Sequence, residues 1–384
     1  MTIKNSAEVV IIGGGVSGVS IAWNLARKGV KDIIILEKKT VCSGATGRCG
    51  AGIRMQWGAE QNCLLAKLSS EFFENANEIL EYDRDVEFNQ GGYLIVAGNE
   101  KENELFKRNV ALQNSLGIPS FHLTPQEAKE IVPHMDETKI TGATFCQKDG
   151  HLNPFNTTEA YDRAAERLGV LTYKKTAATG IDVKDGKVVG VETTQGYIST
   201  PLVINCAGGW SKEVAAMAGV DLPVYSERPQ ILITEPVEHM QDPMFMGFSL
   251  NIYCQQVPHG SFLMGRSNPT EPRDLRQTSS WQFLHAMVDT CTELLPPLKK
   301  LNLVRQWAGL YNMTEDAQPI YGKAEGVDGF WLACGYSGHG FMLAPATGLL
   351  MSEMILGEPL TIDVTNMDMG RFARGELVLE TSVV

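Results

Sequence analysis

Two glycine-rich stretches, far apart in the chain, carry the residue types that handle phosphates and electron-rich rings. The first places Gly13, Gly15 and Gly18 at G-x-G-x-x-G spacing after the β-branched run Val9 to Ile12. The order reads strand, tight turn, helix. Gly13 permits the turn, Gly15 lets the backbone approach a pyrophosphate, and Gly18 allows the helix to pack against the strand. The N-terminus of the helix then aims its free N–H groups at the phosphates. A second apolar run, Ile33 to Leu36, closes on Glu37, nineteen residues beyond Gly18, where a carboxylate takes a ribose hydroxyl pair. The other stretch is "CGYSGHGFMLAP", Cys334 to Pro345, with Gly335, Gly338 and Gly340 around Ser337 and His339. It follows a buried-strand pattern, Phe330 to Ala333. A doubly wound sheet binds its ligand beyond the carboxyl ends of its strands, so this late strand returns to the edge where the first loop holds a dinucleotide. Two such turns clasp the two ends of one extended cofactor.

The elements that must position these loops alternate in type along the chain. Strand, helix, strand, loop and long helix fill the residues up to about Leu80, and Phe88 to Gly98 alternates as a strand. Thr124 with Glu127 three residues later forms a capping box for a short surface helix. A helix over Phe155 to Leu168 precedes a small antiparallel meander that turns at Asp185-Gly186 and at Gln195-Gly196. The buried strand Leu202 to Asn205 then runs into Ala207, Gly208 and Gly209. An aromatic-rich, strand-like region from about Pro223 to Gln306 holds one helix, Trp281 to Leu294. With 384 residues there is more than one ordinary core, and a net charge of −12 without a basic cluster argues against nucleic acid. No apolar run has the length of a membrane span, and "MTIKNSAEVV" lacks the charged and apolar regions of a secretory signal; a cytoplasmic protein is expected. Cys42, Cys49, Cys63, Cys146, Cys206, Cys254, Cys291 and Cys334 form no C-x-x-C pair, and no histidine stands at metal spacing, so buried thiols are expected and no metal site.

The segments "VVIIGGGVSGVSIAWNLARKG…IIILE", "CSGATGRCGAGIR", "VINCAGGWS" and "CGYSGHGFMLAP" together resemble the FAD-dependent amine oxidases of the D-amino-acid oxidase superfamily. Within it the chain looks most like the β subunits of heteromeric sarcosine oxidase, proline dehydrogenase and hydrogen cyanide synthase, over essentially its whole length. The resemblance implies an α/β fold in which a Rossmann-like FAD-binding domain, residues 1–86, 142–222 and 311–384, is interleaved with an antiparallel-sheet substrate domain, residues 87–141 and 223–310. It implies FAD, with Gly13, Gly15, Gly18 and Glu37 on the ADP half and Val16, Ser17 and Lys38 among the cofactor-binding residues. Ser43, Gly44, Ala45, Thr46, Arg48, Cys49, Gly50, Ala51 and Gly52 would run along the pyrophosphate and flavin. Ala177 would lie near the adenine. Ala207, Gly208 and Trp210 look like ribityl-side contacts, and Gly335 with Tyr336, Ser337, Gly338, His339, Gly340 and Phe341 would edge the pyrimidine end of the isoalloxazine.

The chemistry of such a site is C–H oxidation beside an amine. The amine must be neutral to support loss of hydride to the flavin, and an amino-acid carboxylate needs a fixed cation. Arg54, in the family-like segment "GIRMQWG", is the candidate anchor, because its planar fork grips a carboxylate in a way lysine does not. Arg48 is a candidate for a flavin phosphate or a second cofactor. Arg266 is either a second anion contact or a strand-end salt bridge. His339 either polarises the flavin, hydrogen-bonds the substrate, or packs beside the cofactor. Tyr253 and Tyr311 are candidates for an aromatic wall.

Three departures from family patterns refine the expectation. The cysteine that attaches FAD covalently in monomeric sarcosine oxidases is matched by Gly309, which implies noncovalent FAD. A lysine that promotes reaction with oxygen in those enzymes is matched by Leu263, which implies a dehydrogenase passing electrons to another carrier. Some heteromeric relatives attach FMN to a histidine in the segment matching "KDGHLNPFNTTEAY", where His151 stands nearby and reads as a loop histidine. The expected activity is therefore oxidation of a small secondary or N-methyl amino acid to an imine by a β-type subunit. An α-type partner or other electron acceptor, and FMN at a subunit interface, go with that reading. A stand-alone amino-acid oxidase of the glycine oxidase type, a non-catalytic flavin-binding subunit and a nicotinamide-binding module are the alternatives.

Overall fold

The computed structural model describes residues 3–268, 270–380 and 382. Two sheets carry the chain. The first has six strands in the order Ile320–Lys323, Phe330–Cys334, Val203–Asn205, Val9–Ile12, Ile33–Leu36 and Leu171–Tyr173. All neighbours are parallel except the first pair, which is antiparallel. Val9–Ile12 lies at its centre, with Val10 opposite both Val203 and Ile34, and each of its four residues is buried. Continuous apolar strands of this kind are what a sheet covered on both faces requires. On one face pack the helices Val16–Arg27, Pro154–Arg167 and Ala344–Leu356. The close approach of the first and last depends on Gly348, where an added Cβ would stand 2.2 Å from Ser20 Oγ. The Ser20 hydroxyl donates instead to the Ala344 carbonyl at 2.9 Å.

The second sheet has eight strands in the order Leu303–Ala308, Gln230–Pro236, Ser261–Arg266, Ile252–Gln256, Met244–Gly247, Tyr93–Ala97, Gly142–Cys146 and Phe121–Leu123. Its outer face packs under the helix Trp281–Leu294, where Phe283, Met287 and Cys291 meet Leu232, Phe262 and Met264. Its inner face carries Tyr93, Ile95, Met244, Met246, Tyr253 and Leu263. The capping box of Thr124 and Glu127 forms as the sequence predicts. The expected strand Phe88 to Gly98 contracts to Tyr93–Ala97, and all five of its residues are buried. Period-two alternation survives as a division between two cores: Leu94 and Val96 face the outer cluster, Tyr93, Ile95 and Ala97 the inner one.

One expected boundary moves. The resemblance implies that residues from 142 belong to the dinucleotide-binding part, yet Gly142–Cys146 pairs with Tyr93–Ala97 and Phe121–Leu123 inside the eight-stranded sheet. The apolar run of that strand does not itself say which sheet it joins. The chain crosses back just afterwards, at Gly150–His151, which pairs with Gly52–Ile53. A second small ladder, Tyr225–Glu227 with Tyr311–Met313, stitches the sheets together at the other crossing. Of the expected first-domain ranges, residues 1, 2, 381, 383 and 384 lie outside the described residues. All eight cysteines are free thiols. Among the described residues no group of histidine, cysteine and carboxylate side chains could hold a metal, and no helix is long and apolar enough to cross a membrane.

Candidate active site

The carboxyl ends of the parallel strands open into an elongated cavity of about 1340 Å³. Gly13 has φ of +120°, and a Cβ there would lie 2.3 Å from the Cys206 carbonyl oxygen. A Cβ on Gly18 would lie 2.0 Å from the Gly13 carbonyl oxygen. Both glycines are therefore required by protein packing, and Gly18 does not line the cavity. Gly15 differs: its φ of −81° suits any residue, and a Cβ there meets Thr46 Oγ1 at 3.2 Å. Gly15 is also the N-cap of the helix Val16–Arg27, with no side-chain cap and no acidic residue in the first turn, so the helix presents free N–H groups and positive potential to the cavity. The Val16 N–H donates to Thr46 Oγ1 at 3.2 Å.

Glu37 lines the cavity, its carboxylate oriented by the Gly14 N–H at 3.0 Å and the Lys39 N–H at 2.7 Å. Lys38, Ala177, Ala207, Gly208 and Trp210 line the same cavity. The Lys38 ammonium sits 3.0 Å from the centre of the Trp210 ring, and burial pushes its pKa down to about 8. Ser17, Ser43, Gly44, Ala45, Thr46 and Cys49 line the cavity too, as do Tyr336, Gly338, Gly340 and Phe341 of the late loop. Gly335 stands back from the wall: its φ is +76°, its N–H donates to Asn312 Oδ1 at 2.7 Å, and it sets the turn. Asn312 Nδ2 is buried at this wall without a partner among the described residues. An uncapped helix end, a ribose-type carboxylate and an orphaned amide donor along one elongated cavity fit FAD.

A second, smaller cavity of about 590 Å³ shares Cys49, Tyr311, Gly338 and Phe341 with the first. Gly50, Ala51, Gly52, Arg54, Tyr93, Tyr253, Ser337 and His339 line it, with Met244, Met246 and Met342. Arg54 is 3% exposed. Its Nη1 donates to the Gln56 carbonyl at 2.8 Å, its Nη2 donates to the Ser382 carbonyl, and its guanidinium carbon lies 3.6 Å from the centre of the Trp57 ring. Nε is buried without a partner among the described residues. Burial pulls the guanidinium below its ordinary value, opposed by Tyr93, Glu380 and Asp149. Burial likewise raises Tyr93, Tyr253 and Tyr311, which leaves them as neutral hydroxyls at this wall.

His339 is buried with both ring nitrogens unpartnered among the described residues, edge-on to Trp57 at 5.0 Å between ring centres. Burial, and then the Arg54 charge, push its pKa down to about 3, so the ring is neutral at ordinary pH. In the unfolded chain a histidine titrates near about 6.5. Between these values the unfolded state binds the extra proton, so stability falls as pH drops from about 6.5 toward 3 and is unaffected by this group above that range. His339→Gln is therefore expected to lose less stability than the parent between pH 7 and pH 4.5, measured as urea midpoints. Equal losses would place the histidine in a protonatable environment.

One arginine expectation is corrected and another is narrowed. Arg266 points away from both cavities, donating from Nη1 to the Ala286 carbonyl and to Thr290 Oγ1, each at 2.8 Å. It is neither an anion contact nor a salt bridge; it ties the end of its strand to the covering helix. Arg48 lines neither cavity but a third, with Gly50, His151, Phe155, His259, Leu263, Arg305 and Trp307. There its Nη1 donates to the Ala308 carbonyl at 3.0 Å. His151 is no loop histidine: it is 2% exposed in the short ladder against Gly52–Ile53, and burial lowers its pKa to about 4. Sequence reasoning missed Tyr93, Met244 and Met246, which carry no motif, and Met342, which follows the glycines of the late loop. It also missed Asp149, fully buried and accepting from the Met55 N–H and Gln56 Nε2, both at 2.8 Å. Burial pushes Asp149 up to about 7. Its Asp-Gly pair reads as a turn, and only its place before a strand with polar neighbours could have marked it.

The family model described as "DAO: FAD dependent oxidoreductase" matches residues 8–354. The chain is 28% identical over 385 residues to sarcosine oxidase subunit beta of Rhodobacter capsulatus, covering 98% of this chain and 91% of that one. It is 27% identical to mitochondrial sarcosine dehydrogenase of Mus musculus, where the match covers 96% of this chain and 42% of that longer protein. Among solved structures, L-proline dehydrogenase from P. horikoshii superposes with a TM-score of 0.92 at 35% identity, over 98% of this chain and 100% of that one.

Proposed function

Because the chain belongs to the FAD-dependent oxidoreductase family, we propose that it oxidises a small secondary or N-methyl amino acid, of the sarcosine or proline kind, to an imine. The observation that carries this reading is the second cavity. It joins one buried arginine with an unspent Nε donor to a neutral histidine, inside walls of tyrosine and methionine that abut the dinucleotide cavity. Bound noncovalently along Gly13, Gly15, Glu37 and the Ser43 to Gly52 stretch, FAD would supply the hydride acceptor. Arg54 fixes the substrate carboxylate through charge-assisted hydrogen bonds, which sets the position of the neighbouring C–H bond. His339, held neutral by burial and the Arg54 charge, accepts a hydrogen bond from the neutral amine and so orients its lone pair. The apolar walls exclude water from the amine until the imine is formed, after which water hydrolyses it. The relatives named for sarcosine and proline support this substrate class.

We read the chain further as a β-type subunit that passes electrons onward. Leu263 is buried at the third cavity, 3.5 Å from where a Cβ on Gly50 would stand, so the matched site offers no cation to stabilise reduced oxygen. Arg48, Arg305 and Trp307 in that cavity suit the phosphate and ring of FMN, and Phe155, 58% exposed at its rim, suits a covering partner chain. The test is anaerobic mixing of the FAD-loaded protein with sarcosine, proline and glycine while flavin absorbance is followed. Bleaching by a secondary amine supports the reading; an unchanged spectrum with every amino acid would make the chain a non-catalytic flavin carrier. Once reduced, the parent is expected to reoxidise slowly in air and rapidly with an artificial acceptor, and Leu263→Lys to react with oxygen about tenfold faster or more. Fast, stoichiometric peroxide formation by the parent would instead make it a stand-alone oxidase.

A further inference from the structure

The buried Asp316–Arg371 pair begins a path that ends on Arg54. Both side chains are fully buried, with Nε to Oδ2 at 2.7 Å and Nη2 to Oδ1 at 2.9 Å. Asp316 also accepts from the Val378 N–H at 3.4 Å through its carboxylate and from the Glu380 N–H at 3.3 Å through its carbonyl. The segment following the helical turn Arg371–Arg374 is thereby led across the fold toward the second cavity. Glu380, 5% exposed, spans the remaining gap: one carboxylate oxygen accepts from the Ala59 N–H at 3.1 Å and the other from the Ser382 N–H at 2.7 Å. The Ser382 carbonyl then receives Arg54 Nη2.

We propose that Val378, Glu380 and Ser382 form a positioning strap that holds the Arg54 guanidinium in its carboxylate-binding orientation. This rests on Arg54 being the substrate anchor. A guanidinium stacked on Trp57 is free to rotate in its plane unless both ends are held. The Gln56 carbonyl holds Nη1 and the strap holds Nη2, which fixes the direction in which Nε is left to donate. The strap meets Arg54 through a neutral carbonyl, whereas an occupant mimicking the substrate would present a carboxylate. Glu380 keeps its carboxylate on backbone N–H groups of Ala59 and Ser382 instead. Positioning, not blockade, follows from that arrangement.

The experiment compares FAD-loaded parent, a variant lacking residues 380–384, Glu380→Ala, Leu379→Ser and Arg54→Lys. Each is titrated with acetate, read by perturbation of the flavin spectrum, and then with substrate in anaerobic flavin reduction. Loss of the strap is expected to weaken acetate binding and raise the half-saturating substrate concentration by about tenfold, with a smaller change in limiting rate and unchanged FAD content. Leu379, 68% exposed in the same segment, is the control expected to leave all readings unchanged. If the truncated chain does not fold, Glu380→Ala carries the test. Unchanged acetate affinity in the strap variants, with loss in Arg54→Lys, overturns the strap alone. Unchanged affinity in Arg54→Lys as well overturns the anchor on which it rests. Tighter acetate binding without the strap would make it a lid, and failure of both strap variants to retain FAD would make it part of the general fold; either outcome overturns the proposal.

Discussion

A Gly15→Val variant is expected to fold, to melt near the parent apoprotein, and to purify without FAD. The three glycines of the first loop serve different contacts, and this separates them. At Gly18 any side chain meets the Gly13 carbonyl oxygen, with a Cβ at 2.0 Å, so its replacement breaks the packing of helix on strand. At Gly13 the backbone is in a region that side chains avoid, and Cys206 fills the space. Gly15 has neither problem. Its φ of −81° and ψ of 174° are ordinary extended backbone, and the nearest atom to an added Cβ is Thr46 Oγ1, at the end of a short side chain. As an N-cap, glycine is favoured over valine, and the exchange costs the helix about 1 kcal/mol, a small part of the stability of a chain this size. What valine does remove is the space in front of the helix N-terminus, where the pyrophosphate must approach backbone N–H groups closely. The measurements are flavin absorbance per protein and thermal unfolding of the apoprotein, with Gly18→Val beside it. Gly18→Val is expected to lower the melting temperature itself. Stoichiometric FAD in folded Gly15→Val would falsify the placement of the pyrophosphate.

The contrast between these glycines also marks what local sequence could reveal. The strands Val9–Ile12 and Ile33–Leu36, the turn between strand and helix, and Glu37 follow from short-range rules, because a strand end and a helix start fix each other within a few residues. The late strand and its glycines could be assigned to the same edge by topology alone. Arg266 could not be placed. In a strand the side chains alternate, and a register choice made by distant partners decides which face meets the cavity and which the covering helix. Arg266 is opposite Gln230 and falls on the helix side; Leu263 and Tyr253 fall on the inner side. The same ambiguity hid Tyr93, Met244 and Met246, since a strand buried on both faces shows no polar alternation to orient it. Asp149 and Glu380 were hidden for another reason: a buried carboxylate is defined by the backbone N–H groups that surround it, and those come from Met55, Ala59 and Ser382.

The anchor itself is expected to fail under a substitution that keeps its charge. Arg54→Lys should fold and bind FAD, because a cation remains near Glu380 and Asp149, and removing it altogether would leave both carboxylates buried without compensation. The lysine has one nitrogen, so it cannot reach the Gln56 and Ser382 carbonyls, cover Trp57, and still present a donor corresponding to Nε. Its ammonium will also lose charge more readily than a guanidinium in so buried a position. The loss of this held, charged donor is expected to reduce transition-state stabilisation by about 2 kcal/mol or more for an amino acid substrate. That amounts to roughly thirtyfold in kcat/KM. The loss should vanish for a comparable amine without a carboxylate, since nothing else in the cavity has been altered. Measurement of anaerobic flavin reduction with both amines separates the anchor from a general disturbance of the site. If kcat/KM for the amino acid is unchanged, the carboxylate is held elsewhere. Arg266 is then no substitute, being fastened to Ala286 and Thr290, and the role passes to the buried hydroxyls of Tyr93, Tyr253 and Tyr311. Their phenylalanine variants would carry the loss in place of Arg54.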